Sequence, residues 1–245
     1  MIIVLLQVRL KEIKSIFKQK KILLSLCLTM SILGSNWFVF IWAVNHGKIL
    51  QTSLGYYINP LFFVFLGMIF LKERLRKLQV IALIIASIGV LYFSISIGSF
   101  PWIALMLAIS FGIYGLVHKL IAVEALPGLC VETMLLSIPV SIYLIWQNIN
   151  GQGAFLNIDF KTDFLLVGTC IFTALPLLFF TAGARRTTFS TVGFMQYISP
   201  SSSFILAIFI YHEPFSFGKL FTFIMIWAAL IFYTIDLVQH HKQKN

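Results

Sequence analysis

Two phrases, Tyr57-Ile58-Asn59-Pro60 and Tyr197-Ile198-Ser199-Pro200, stand 140 residues apart, and each is followed 13 residues later by a glutamate, Glu73 and Glu213. Each proline lacks an amide donor and frees a carbonyl one turn earlier. Inside an apolar segment, freed carbonyls and uncharged polar side chains can hold a polar solute. Tyr57 and Pro60 are three apart and share a helix face, as do Tyr197 and Pro200. Asn36, Trp37, Tyr57, Asn59, Tyr114, Gln196, Tyr197 and Ser199 are therefore the candidate substrate-cavity residues, with Pro60 and Pro200 as helix kinks. This chemistry is reversible hydrogen bonding of a solute. Bond-making chemistry has no comparable signal: GxxxxGK[ST], HExxH and GxSxG do not occur.

The carboxylates lie near the ends of apolar runs. Glu73, Glu132, Glu213 and Asp236 are expected within reach of water, which leaves the mark of an intramembrane proton relay weak. Glu73 is expected to pair with Lys72 or Lys77. Lys119 and Glu132 flank one cytoplasmic connection, where they could form a charge pair or attract a charged substrate; a solvated loop is the blander alternative. Cys27, Cys130 and Cys170 form no CxxC pair and read as small hydrophobes, and His240 and His241 sit in a polar tail. No catalytic residue, metal site or cofactor is assigned.

The elements that must position these residues follow from composition. Of 245 residues, 60% are hydrophobic and 11% charged, and mean hydropathy is +0.97. Soluble domains carry about 25% charged residues, so a soluble enzyme is excluded. Apolar runs near 22–46, 50–71, 79–97, 101–120, 129–147, 163–182, 189–211 and 217–238 give eight membrane-spanning helices. The first eight residues form a partial helix too short to span, with no basic segment before it, and are not a secretory signal. Arg9, Lys11, Lys14, Lys18, Lys20, Lys21, Lys72, Arg74, Arg76, Lys77, Lys119, Arg185, Arg186, Lys242 and Lys244 fall on one side of the bilayer, against Lys48, Lys161 and Lys219 on the other. Cytoplasmic loops retain Lys and Arg, so the fifteen mark the cytoplasmic side, and the segment before the first full helix and the C-terminal tail both lie there. Net charge +10 is thus explained by membrane orientation rather than by nucleic acid. The expected partners are the lipid bilayer and a small solute; a homodimer is left open.

At the 140-residue offset, positions 57–73 and 197–213 share five identities in 17, without a gap. Five helix steps separate the copies, so matched helices run oppositely, and their loops differ in charge accordingly: RLRK follows Glu73, while PFSFG and Lys219 follow Glu213. An inverted-topology repeat accounts for both. It divides the chain into an incomplete first repeat, 1–98 (partial helix 1–8, basic cytoplasmic segment 9–21, three helices), a five-helix second repeat, 99–238, and a tail, 239–245. Helices 101–120 and 129–147 have no full counterparts at the front, so the offset implies ten spans in a complete molecule, of which about one and a half are missing here.

The stretch SNWFVFIWAVNHGKILQTSLGYYINPLFFVFLGMIFLKERLRKLQ, with SFGIYGLVHKLIAVEALPG, ETM and STVGFMQYISP, resembles the RarD-type chloramphenicol-sensitivity proteins of the EamA branch of the drug/metabolite transporter superfamily. The resemblance runs from about residue 9 to the last helix. It implies a ten-helix, two-repeat inner-membrane transporter with both termini cytoplasmic, from which this sequence departs by lacking the first helix and the start of the second. The function expected is secondary transport of a small organic solute by alternating access. Its rivals are a transport-inactive truncated remnant and, more remotely, a membrane-embedded enzyme.

Overall fold

A computed structural model describes residues 10–151, 153, 155, 157–209 and 217–244. Glu213 and the partial helix at 1–8 lie outside them. The described residues form helices joined by short turns, with no strand among them: α1 (Leu10–Lys18), α2 (Lys20–Asn45), α3 (Ile49–Phe70), α4 (Lys77–Ser96), α5 (Trp102–Leu120), α6 (Ala125–Ile149), α7 (Phe160–Arg186), α8 (Phe189–Gln196), α9 (Ile198–Phe209) and α10 (Phe217–Lys244). Seven of these, α2 to α7 and, within α10, Leu220–His240, are long and apolar enough to cross a membrane. Large apolar side chains such as Phe172, 82% exposed, and Ile142 stand on their outer faces, as hydrocarbon solvent permits.

The segment 189–211, expected as one span, is instead two shorter helices over its described part. The break falls at Tyr197, whose N–H bonds to the Phe194 carbonyl at 3.1 Å, a tighter turn than the α-helical one. Pro200 permits the break, since it cannot donate to the Gln196 carbonyl and its ring crowds that position. Its counterpart Pro60 sits inside a continuous helix.

The chain falls into two compact units, with boundaries within α2, within α5 and between α7 and α8. In the unit made of 1–34 and 114–186, Ile13 and Ile16 of α1 pack with Leu26, Val123, Cys130 and Val131. In the unit made of 35–113 and 187–245, the core joins Tyr57 and Val64 to Ala82, Ala86, Val90 and Phe93, and these to Phe194, Tyr197, Phe223, Ile226, Ala229 and Tyr233. Small side chains at Ala82, Ala86 and Ala229 let the helix backbones approach closely.

Two helix pairs in that second unit run antiparallel. Along α4 and α10, Arg76 meets Asp236, Gly89 meets Thr222 and Tyr92 meets Phe221, so one index rises as the other falls. Along α3 and α8, Asn59 meets Gln196, Phe63 meets Phe189, and Gly67 lies beside Ser190. A Cβ on Gly193 would stand 2.7 Å from the Pro60 carbonyl oxygen and 2.9 Å from Phe63 Cβ. Only glycine admits that approach.

Candidate functional site

Glu73 holds the start of α8. Its carboxylate accepts from the Phe189 N–H at 2.6 Å, the Ser190 N–H at 2.9 Å and the Ser190 hydroxyl at 2.6 Å. The first amides of a helix have no partners within it, and a carboxylate there also meets the positive end of the helix dipole. The lysine partners expected from sequence are thus displaced by a helix terminus more than a hundred residues away. The chain reaches it because Lys72 turns back at φ 54° and the Glu73 N–H returns to the Gly67 carbonyl at 3.0 Å. Gly67 makes room, since a Cβ there would lie 2.8 Å from Glu73 Oε2.

Beyond that cap, the two proline phrases meet. The Tyr197 hydroxyl donates to the Tyr57 carbonyl at 3.2 Å, and Asn59 Nδ2 donates to Gln196 Oε1. The second bond leaves Asn59 Oδ1 and Gln196 Nε2 buried with no partner. Turning both amides over would exchange the roles and still leave one acceptor and one donor unmet. Such a pair complements a solute group that offers both a donor and an acceptor. Unmet buried polar atoms in hydrocarbon are costly, so a site that tolerates them calls for a functional explanation.

The other candidates are placed as follows. Tyr57 packs edge-on against Phe93 and Phe223 with ring centroids 5.4 and 5.5 Å apart. Tyr197 is fully buried in the same core. Asn36 Nδ2 donates to the Leu107 carbonyl at 3.0 Å and to the Ser110 hydroxyl at 2.7 Å, which ties α2 to α5. Trp37 is half-buried and Ser199 exposed.

Tyr114 belongs to the first unit, where it faces Glu132. That carboxylate is 3% exposed, unlike the water-accessible group expected from its place near a helix end. Thr29 Oγ1 donates to Glu132 Oε1, His118 Nε2 lies 2.8 Å from the same oxygen, and the Tyr114 hydroxyl lies 3.4 Å from Oε2. Lys119, set beside Glu132 in the sequence reading, donates from Nζ to the Ala184 carbonyl at 2.7 Å. Asp236, also expected near water, is buried, and Arg76 Nε donates to it at 2.6 Å. His118 and Thr29 were not legible as functional residues. The available signal was spacing: Tyr114 and His118 are four apart and share one helix face, their rings tilted against each other with centroids 4.6 Å apart.

Comparison with known proteins agrees with this architecture. Residues 1–95 match the EamA-like transporter family. Protein RarD of Escherichia coli K12 is 42% identical over 233 residues, covering 95% of this chain and 79% of its own length. The chain is a RarD-type member of the EamA-like transporter family. Two further members of the family resemble it as closely. YojE of Bacillus subtilis, an uncharacterized transporter, is 46% identical over 230 residues, 94% of this chain and 76% of its own. Protein RarD of Salmonella typhi is 42% identical, over 96% of this chain and 80% of its own. The family member described here is therefore a multi-pass membrane protein of the drug/metabolite transporter type.

Proposed function

We propose that this transporter carries a small organic solute across the bacterial inner membrane by alternating access, with Asn59 and Gln196 as its polar recognition groups. The observation that carries the reading is the buried amide pair with one donor and one acceptor unmet. It lies where two proline phrases of like sequence meet, and prolines within spanning helices mark binding sites in many transporter folds. A neutral or zwitterionic solute suits uncharged lining.

The antiparallel packing of α3 on α8 and of α4 on α10 supports an inverted repeat at the 140-residue offset, since helices matched by that offset must run oppositely. Eight spans follow if α8 and α9 together cross the bilayer as one interrupted helix. The excess of Lys and Arg on one side supports cytoplasmic termini. The matching family and the relative YojE are named as transporters, which favours transport over catalysis.

The test uses purified chain in proteoliposomes and exchange of a panel of radiolabelled amino acids, nucleosides and amphenicol-like amides. Saturable exchange is expected for at least one class, and Asn59→Leu with Gln196→Leu should abolish it. Exchange indifferent to both substitutions would remove the amide pair from the function.

A further inference from the structure

We propose that Glu132 and His118 form a proton-binding site, through which solute movement is coupled to a proton gradient; the coupling rests on the transporter reading above. Glu132 is the eighth residue of α6, about 10 Å along the helix from its start. It is 3% exposed and His118 1% exposed. Among the described residues the carboxylate is met by a hydroxyl from α2 and by a hydroxyl and an imidazole nitrogen from α5, and by no lysine or arginine. From α1 the cluster receives Ile13 and Ile16, while the charged side chains of that helix, Glu12, Lys14 and Lys18, are exposed. From α6 itself the neighbouring titratable group is the buried Cys130. At the end of α7, Lys119 is held at the Ala184 carbonyl and Arg185 is half-buried.

The charge balance of such a pair is simple. With the imidazole neutral, the pair carries one net negative charge in a site that excludes water, which is unfavourable without a partner cation. Adding one proton from water to the pair forms imidazolium and carboxylate, or imidazole and carboxylic acid, and the net charge is zero either way. Releasing it to water restores the first state. No other bond forms or breaks. Histidine is the side chain whose charge changes most readily near neutral pH, and intramembrane ionisable pairs of this kind mark proton pathways. A hydrogen bond that served packing alone would need neither ionisable partner.

The test begins with proton counting. The full chain in lipid nanodiscs is taken between about pH 5 and 8, with a soluble indicator recording proton uptake and infrared difference spectroscopy recording imidazole and carboxyl bands. Wild type should take up roughly one more proton per chain in that window than a Glu132→Gln, His118→Gln double variant, in which the paired bands should be absent. Glu12→Gln, on the exposed face of α1, should match wild type. If the double variant is not monodisperse, the wild-type infrared bands decide: imidazole and carboxyl bands that do not change across the window overturn the site. Equal proton uptake by wild type and the folded double variant overturns the site. In proteoliposomes, an imposed pH gradient should drive solute accumulation by wild type and not by the double variant. Gradient-driven accumulation that survives in the double variant overturns the coupling. A wild-type chain that moves no solute at all contradicts the transporter reading instead, while the proton count still decides the site.

Discussion

Asn59 and Gln196 each present a donor and an acceptor, so a single bond between them satisfies only half of what they offer. Removing one partner should leave the other buried and unmet, at a cost of about 1–3 kcal/mol. Replacing both by leucine should cost less than the sum of the single changes. Thermal unfolding of the four members of this double-mutant cycle in detergent would show it, and simple additivity would mean that the amides do not interact. At the same scale, Glu73→Ala strips the start of α8 of three donated hydrogen bonds, with an expected loss of about 1–2 kcal/mol. Asp159, fully exposed before α7, has its carboxyl held below the usual aspartate range by the Thr162 side chain and then by the Thr162 N–H. Because the folded value is the lower one, this support for α7 is complete above the ordinary range near pH ~4 and is lost as pH falls through the folded value. The protection of the Thr162 amide, taken against its intrinsic exchange rate at each pH, should therefore fall in acid, and a protection that does not change with pH would contradict the cap. The carboxylates were the least legible residues in the sequence. Glu73 reads as a partner of adjacent lysines and Glu132 as a loop charge, because their true partners lie 116 and 14 or 103 positions away.

Among the elements, the proline phrases were legible as features, since prolines inside apolar runs have few other readings. The break at Tyr197 was not. Pro60 sits in a continuous helix and Pro200 follows an interruption, so the same local sequence gives two outcomes that packing decides. The closeness of α3 and α8 turns on Gly193. A Gly193→Val change should force the helices apart, cost about 1–3 kcal/mol and impair transport together with stability; an unaltered unfolding temperature would contradict the contact. The antiparallel register of α4 and α10 can be checked by disulfide trapping in a chain lacking Cys27, Cys130 and Cys170. Ala82→Cys with Ala229→Cys should cross-link, since both belong to one core, whereas a parallel arrangement would leave them unlinked.

For the whole molecule, membrane residence followed directly from composition, because 11% charged residues cannot cover a water-facing surface of this size. The direction of insertion rests on fifteen cationic residues against three. Single cysteines at Arg74 and at Lys161 should accordingly label from opposite faces of the membrane, and labelling from one face would contradict the orientation. The division into two compact units was not legible, since two of its three boundaries fall inside helices α2 and α5, where no composition shift marks them. The central claim is that the meeting of the Tyr57–Pro60 and Tyr197–Pro200 phrases recognises a transported solute. The most direct measurement is solute counterflow into proteoliposomes by wild type and by the Asn59→Leu, Gln196→Leu double variant, with both proteins shown to be folded and equally inserted. Saturable counterflow of at least one solute class by wild type, lost in the double variant, is the expected result; counterflow of equal rate and saturation in both would contradict it.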